Sequence, residues 1–92
     1  MEIVENTELR RASRAAYGEL PEESVLLDIE GEKAVRLNET GAWLWKRLET
    51  PATVAELAAA LAAEFGIDES RALADVSAFA ADLAGRELLE TD

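Results

Sequence analysis

The spacing of hydrophobic positions along this chain changes period near its midpoint. In residues 24–29 (SVLLDI), Val25, Leu27 and Ile29 fall on one face of an extended segment. In Lys33–Leu37 (KAVRL), Val35 and Leu37 do the same. Glu30, Gly31 and Glu32 form a tight connection, with Gly31 free to take positive φ, so these segments predict a hairpin with one buried face. Residues 7–17 carry a weaker alternation in which Leu9, Arg11, Ser13, Ala15 and Tyr17 share a parity. It predicts a first strand without fixing its register. Pro21, Glu22 and Glu23 close that strand with a loop. If the three strands form a meander, KAVRL is its edge.

Beyond Leu37 the period becomes helical. Asn38 can cap a helix over residues 39–49, with Leu44, Trp45 and Leu48 on its inner face and Trp43 toward solvent. Thr53 and Glu56 form a capping box for a second helix, with Val54, Leu57, Leu61 and Phe65 inward and Gly66 at the stop. Asp68 caps a third, whose Leu73, Val76, Ala80 and Leu83 face the core until Gly85. Leu88 and Leu89 tuck the tail back onto that core. The order is strands followed by three helices, the last two joined as a helix-turn-helix.

The length of 92 residues allows one domain spanning 1–92, and 49% apolar with 32% charged residues is the balance of a folded globule. No apolar run approaches the roughly 20 residues that span a bilayer, and no signal peptide is recognisable, which predicts a cytoplasmic protein without a membrane partner. Cys and His are both absent, which removes the thiolate and imidazole routes to catalysis and argues against a zinc site. The formal charge of −11, from 20 acidic against 9 basic residues, repels phosphate backbones and favours a basic peptide over nucleic acid.

Candidate chemistry is sparse. Adjacent carboxylates such as Glu22 and Glu23, or Asp68 and Glu69, are expected in so acidic a chain and read as solvated surface. Ser13, Ser24, Ser70 and Ser77 have no His to activate them, and Lys33 and Lys46 are the only lysines. The glycines form no phosphate-cradling loop. Ser70 could be compared with the modified serine of carrier proteins, but Glu69 and Arg71 replace the Asp and Leu expected beside it, so it reads as a first-turn residue. A helix-turn-helix beside a hairpin suggests a winged-helix DNA binder. Across residues 68–83, however, Arg71 is the only cation against Asp68, Glu69, Asp75 and Asp82. The chain is therefore expected to be no enzyme and to need no cofactor or metal.

An unpaired strand edge exposes N–H and C=O groups that a peptide can pair with as an added strand. On the third helix, Phe79 lies beside the main stripe with Asp75 and Asp82 at helical spacing. That arrangement suits a peptide with apolar anchors and nearby Lys or Arg. Phe79 as an ordinary core residue fits the pattern equally well.

Residues 26–90 resemble the PqqD-like family, also called RiPP recognition elements, and within it the stand-alone leader-binding proteins of lasso peptide clusters. The residues carrying the resemblance are Leu37, Asn38, Thr40 and Gly41 (LNETG), Trp45 and Leu48, and Thr53, Val54, Leu57 and Leu61. Asp75, Val76, Phe79 and Leu83 (DVSAFAADL) follow, then Leu88 and Leu89. Glu49 and Thr50 stand where many relatives have Asp-Gly, and Glu87 where many have Gly before two leucines.

The resemblance implies an α+β, winged-helix-like fold, a three-stranded antiparallel sheet followed by and packed on three helices. It implies that the leader of a ribosomally made precursor peptide is captured as an added strand. Backbone pairing would fall on Lys33, Ala34, Val35, Arg36 and Leu37, and the opposite wall on Asp75, Val76, Phe79, Asp82 and Leu83. A leader peptidase or other modifying enzyme would then receive the leader. A peptide chaperone of pyrroloquinoline quinone biosynthesis and a winged-helix regulator are the alternatives. Whether the edge also pairs two copies into a homodimer stays open.

Overall fold

In the computed structural model, which describes residues 3–91, β1 (Glu8–Arg11) precedes a meander of β2 (Ala15–Leu20), β3 (Glu23–Asp28) and β4 (Lys33–Leu37). Then come α1 (Glu39–Arg47), the two-residue β5 (Ala52–Thr53), α2 (Val54–Phe65), α3 (Glu69–Gly85) and β6 (Leu89–Thr91). The meander is one antiparallel sheet, ordered β2-β3-β4, with β4 at its edge. A second small antiparallel sheet, ordered β5-β1-β6, joins the two ends of the chain to the connection between α1 and α2. The expected meander and three helices are present, and the second sheet is an addition.

That addition splits the single strand expected over residues 7–17. At the break the Ala12 N–H donates to the Leu88 carbonyl at 3.1 Å and the Ala15 N–H donates to the Ala12 carbonyl at 3.1 Å, which turns the chain out of one sheet and into the other. β1 pairs with β5 and β6, whose residues lie 40 or more positions downstream, so local alternation could not reveal the pairing. The tail does return to the core, with Leu88 and Leu89 both buried.

The sheet faces also differ from expectation. Leu26 is fully buried, opposite Tyr17 on β2 and Val35 on β4, whereas Leu27 and Ile29 are 44% and 63% exposed. The parity of Leu26 turns Asp28 inward too, and this is tolerated because Asp28 is not a free charge. Arg14 Nε donates to its Oδ1 at 2.9 Å and the Gly31 N–H donates to the same oxygen at 3.0 Å. Counting apolar residues favoured Val25, Leu27 and Ile29; the partnered aspartate reverses the choice. In the following loop the positive φ falls on Glu32 (54°), not Gly31. Gly31 is needed for proximity instead, since a Cβ there would lie 2.7 Å from Asp28 Oδ2.

The helices begin where their caps predict. Asn38 Oδ1 accepts from the Gly41 N–H at 2.7 Å, and a Cβ on Gly41 would approach that oxygen to 3.1 Å. The Asn and Gly of LNETG are thus one device. Thr53 and Glu56 complete the capping box, while Val54 and Ala55 donate their N–H groups to the carbonyls of Thr7 and Glu5. Gly66 ends α2 at φ 64°, and Asp68 caps α3 by accepting from the Arg71 N–H at 2.8 Å.

α1 stops at Arg47, before Glu49, and its last turn is tied to the second sheet: the Arg11 guanidinium lies 5.0 Å from the Trp45 ring centre and donates to the Trp45 carbonyl at 3.1 Å. Trp45 is buried as expected, whereas Trp43, expected toward solvent, is half-buried and packs against the core. One inward assignment fails and another holds in part. Phe65 is 37% exposed and packs edge-on against Trp43 at 5.7 Å, and on α3 the fully buried stripe is Ala72, Val76, Ala80 and Leu83, with Leu73 half-buried.

Substituting Asn38→Ala is expected to cost about 1 kcal/mol by leaving the Gly41 N–H without its acceptor. For a domain of this size that corresponds to a fall of about 4–8 °C in Tm, readable by thermal circular dichroism. The Asp28 carboxyl is held below its ordinary pKa, chiefly by the hydrogen bond from Arg14 and next by that from Gly31. A depressed folded-state pKa stabilises above the unfolded value of about 3.9 and loses that contribution as pH falls through the folded value. Asp28→Asn should therefore melt below wild type at neutral pH, with the gap closing below about pH 4. A gap independent of pH would show that the ion pair contributes nothing.

Candidate functional site

β4 pairs with β3 along one side only. Its other side faces α3 across a trough formed of two adjoining clefts. The first, of about 450 Å³, has Arg36 and Leu37 on its strand side and Asp75, Phe79, Asp82 and Leu83 on its helix side. The second, of about 340 Å³, continues toward the start of β4, where Lys33 and Val35 face Gly85 and Arg86 at the end of α3. Five residues of strand at about 3.3 Å each give an edge of roughly 16 Å, enough to seat a short extended peptide.

The strand offers the trough two kinds of surface. Lys33, Val35 and Leu37 share the parity that faces the interior of the fold, through their pairing with Asp28, Leu26 and Ser24. Val35 and Leu37 are half-buried against the core and Lys33 is exposed. Ala34 and Arg36 are exposed on the alternate parity, and Arg36 reaches Glu23 at 3.1 Å. At the base of the first cleft Leu44 and Leu83 supply a buried apolar floor, with half-buried Phe79 beside them.

The carboxylates on α3 are not free. Asp82 takes an ion pair from Arg86 at 3.1 Å, and Asp75 one from Arg71 at 3.9 Å, both at helical i,i+4 spacing. Arg14, lining the second cleft, is fixed on Asp28, which with Glu30 and Glu87 holds its pKa above the ordinary value. Among the described residues no group of His, Cys, Asp and Glu could hold a metal ion, and no helix is long and apolar enough to cross a membrane.

Residues 23–89 match the sequence family described as "Coenzyme PQQ synthesis protein D (PqqD)". The chain belongs to the PqqD family. Two solved structures share its fold. One is TbiB1 in complex with the TbiA(β) leader peptide, 27% identical, with a TM-score of 0.79 over 88% of this chain and 94% of that one. The other is lasso peptide synthetase B1 complexed with the leader peptide, 23% identical, with a TM-score of 0.78 over 89% of this chain and 96% of that one. Among curated proteins, no match is found.

Of the positions the PqqD resemblance points to, the fold gathers Lys33, Val35, Arg36, Leu37, Asp75, Phe79, Asp82 and Leu83 around the trough. Val76 is fully buried in the core and lines neither cleft, and Ala34 has its side chain outside both. Sequence reasoning missed Asn38, Thr40, Gly41, Leu44, Arg71 and Ala78 in the first cleft. The LNETG segment was visible as a motif, and its place at the mouth of the trough follows from α1 starting directly after β4.

Phe79→Ala removes the half-buried ring from the trough wall while leaving the buried stripe of α3 in place. A bound peptide with an apolar anchor should lose about ten-fold or more in affinity, the loss typical of a central aromatic contact. The variant should keep a cooperative thermal transition. Collapse of that transition would assign Phe79 to the core instead.

Proposed function

We propose that this protein is a non-catalytic leader-binding domain, which captures the leader of a ribosomally made precursor peptide as an added strand on β4. It then presents that leader to a separate leader peptidase or another maturation enzyme, in lasso peptide biosynthesis. The observation that carries the reading is the open edge of β4 beside the trough walled by α3. Main-chain pairing along the edge supplies affinity, and side chains alternating into the trough supply selectivity. The PqqD family membership and the likeness to TbiB1, solved with its leader peptide, support it.

The residues favour binding over chemistry. With no His or Cys, and with the serines lacking an activating partner, the bond-breaking step belongs to the partner enzyme. Leu20, Leu27 and Ile29, each at least 44% exposed, leave apolar surface on the meander outside the trough. An acceptor enzyme can engage that surface while the leader occupies the edge. The description of the family favours a second reading, a peptide chaperone in coenzyme PQQ synthesis, which differs in the leader bound and not in the site.

Titration with a synthetic leader, taken from a precursor gene neighbouring this one, should shift the backbone amides of Lys33–Leu37 and the trough side of α3 in NMR spectra. Saturable binding that leaves those amides unmoved would reject the site. Which precursor accompanies the gene, a lasso precursor or that of the quinone cofactor, separates the two readings.

A further inference from the structure

The trough concentrates the cations of an acidic molecule. Arg14, Lys33, Arg36, Arg71 and Arg86 line it, five of the nine basic residues, against only four of the twenty acidic ones, Asp28, Asp75, Asp82 and Glu87. A chain of net charge −11 therefore lines this trough with a net charge of +1. Glu23 on Arg36 and Glu30 beside Arg14 add carboxylates just outside this lining, so the charges around the trough come close to balance, and a bound side chain responds mainly to such charges, within a Debye length of about 8–10 Å, rather than to the whole-chain total.

Four of these cations already have carboxylate partners: Arg14 on Asp28, Arg36 on Glu23, Arg71 on Asp75 and Arg86 on Asp82. Lys33 makes no ion pair among the described residues. Its cross-strand neighbour is Asp28, but that carboxylate is taken by Arg14 at 2.9 Å and by the Gly31 N–H at 3.0 Å. The arrangement that lets Asp28 turn inward thus leaves Lys33 exposed and unanswered on the open edge.

We infer that Lys33 is a specificity-determining contact, which selects a peptide carrying Asp or Glu directly opposite it on the added strand. The inference rests on the strand-addition reading above. Side chains opposite one another on paired strands sit about 4.5–5.5 Å apart at Cβ, close enough for a charge pair. Val35 and Leu37 follow Lys33 on the same parity, beside the apolar floor of Leu44, Leu83 and Phe79. The preferred segment consequently has an acidic residue at one position and apolar residues two and four places away, on one face of the strand.

Selection of short random peptides by display against the full-length protein, in parallel with Lys33→Glu, tests this directly. Wild type should enrich Asp or Glu spaced two and four residues from apolar positions, and Lys33→Glu should enrich Lys or Arg at that place. An enriched Glu peptide should bind wild type about five-fold more tightly than its Lys counterpart, the upper range for a cross-strand charge pair. Lys33→Glu should reverse the order, Lys33→Gln should abolish the difference, and added salt should shrink it. Thermal melts of both variants confirm that they are folded. Peptides that shift the Lys33–Leu37 amides yet show no acidic preference would overturn the inference and leave the binding site standing. If no enriched peptide moves those amides, both the inference and the strand-addition reading fall.

Discussion

Turning Leu26 and Asp28 inward fixes, through the pairing of β3 with β4, which side chains of the edge strand look toward α3. Leu26 alone would supply the apolar part of that choice, but Asp28 comes with it and must be compensated. Arg14 and the Gly31 N–H provide the compensation, the one from the turn before β2 and the other from the loop between β3 and β4. Once this is settled, Val35 and Leu37 pack on the core and Lys33 stands at the trough. Slipping β4 by one residue against β3 would turn Val35 and Leu37 away from the core and put Ala34 and Arg36 in their place. One buried leucine and one partnered aspartate thereby set both the core and the inward face of the edge strand.

The helices were almost wholly legible in the sequence because their signals are local. Asn38, Thr53, Asp68 and Gly66 each act on a backbone group within three or so residues, so the caps can be read without knowing the fold. The meander and its edge were legible for the same reason, as short connections leave few topologies. The second sheet was not, since β1 finds its partners across the length of the chain. The face of β3 was misjudged because alternation weighs apolar against polar residues and is blind to a polar residue whose partner lies elsewhere. Phe65 was assigned to the core by spacing alone, while its actual partner, Trp43, belongs to another helix.

Pattern reasoning singled out the strand and the helix that line the trough but did not weigh the charges between them. Asp75 and Asp82 looked like a frame for a cationic peptide because their i,i+4 neighbours Arg71 and Arg86 were not counted with them. Arg71 lies on the same helix and Arg86 is its C-cap, so both were available to the reading. The contribution of Arg14 was not, since it enters the trough from the turn between β1 and β2 and depends on the split of the first strand. A whole-chain charge of −11 describes long-range solubility and steering, whereas the trough is governed by the few charges its walls place side by side.

The proposed edge-strand capture suits a domain of this size. A single close-packed core, with Leu9, Leu26, Leu44, Trp45, Leu57 and Leu61 among its members, leaves no interior volume for a deep ligand pocket. The open edge needs none, because an incoming strand brings its own backbone donors and acceptors and meets a surface already ordered by β3 and α3. The same economy carries a hazard, as any extended chain, including a second copy, can pair with an open edge. Side chains must then supply the discrimination that backbone pairing lacks. Phe79 and the apolar floor can reject polar strands, but they cannot distinguish among apolar ones; the selection inferred for Lys33 would add the missing criterion, while the like charge of −11 on each copy opposes pairing of the molecule with its own kind.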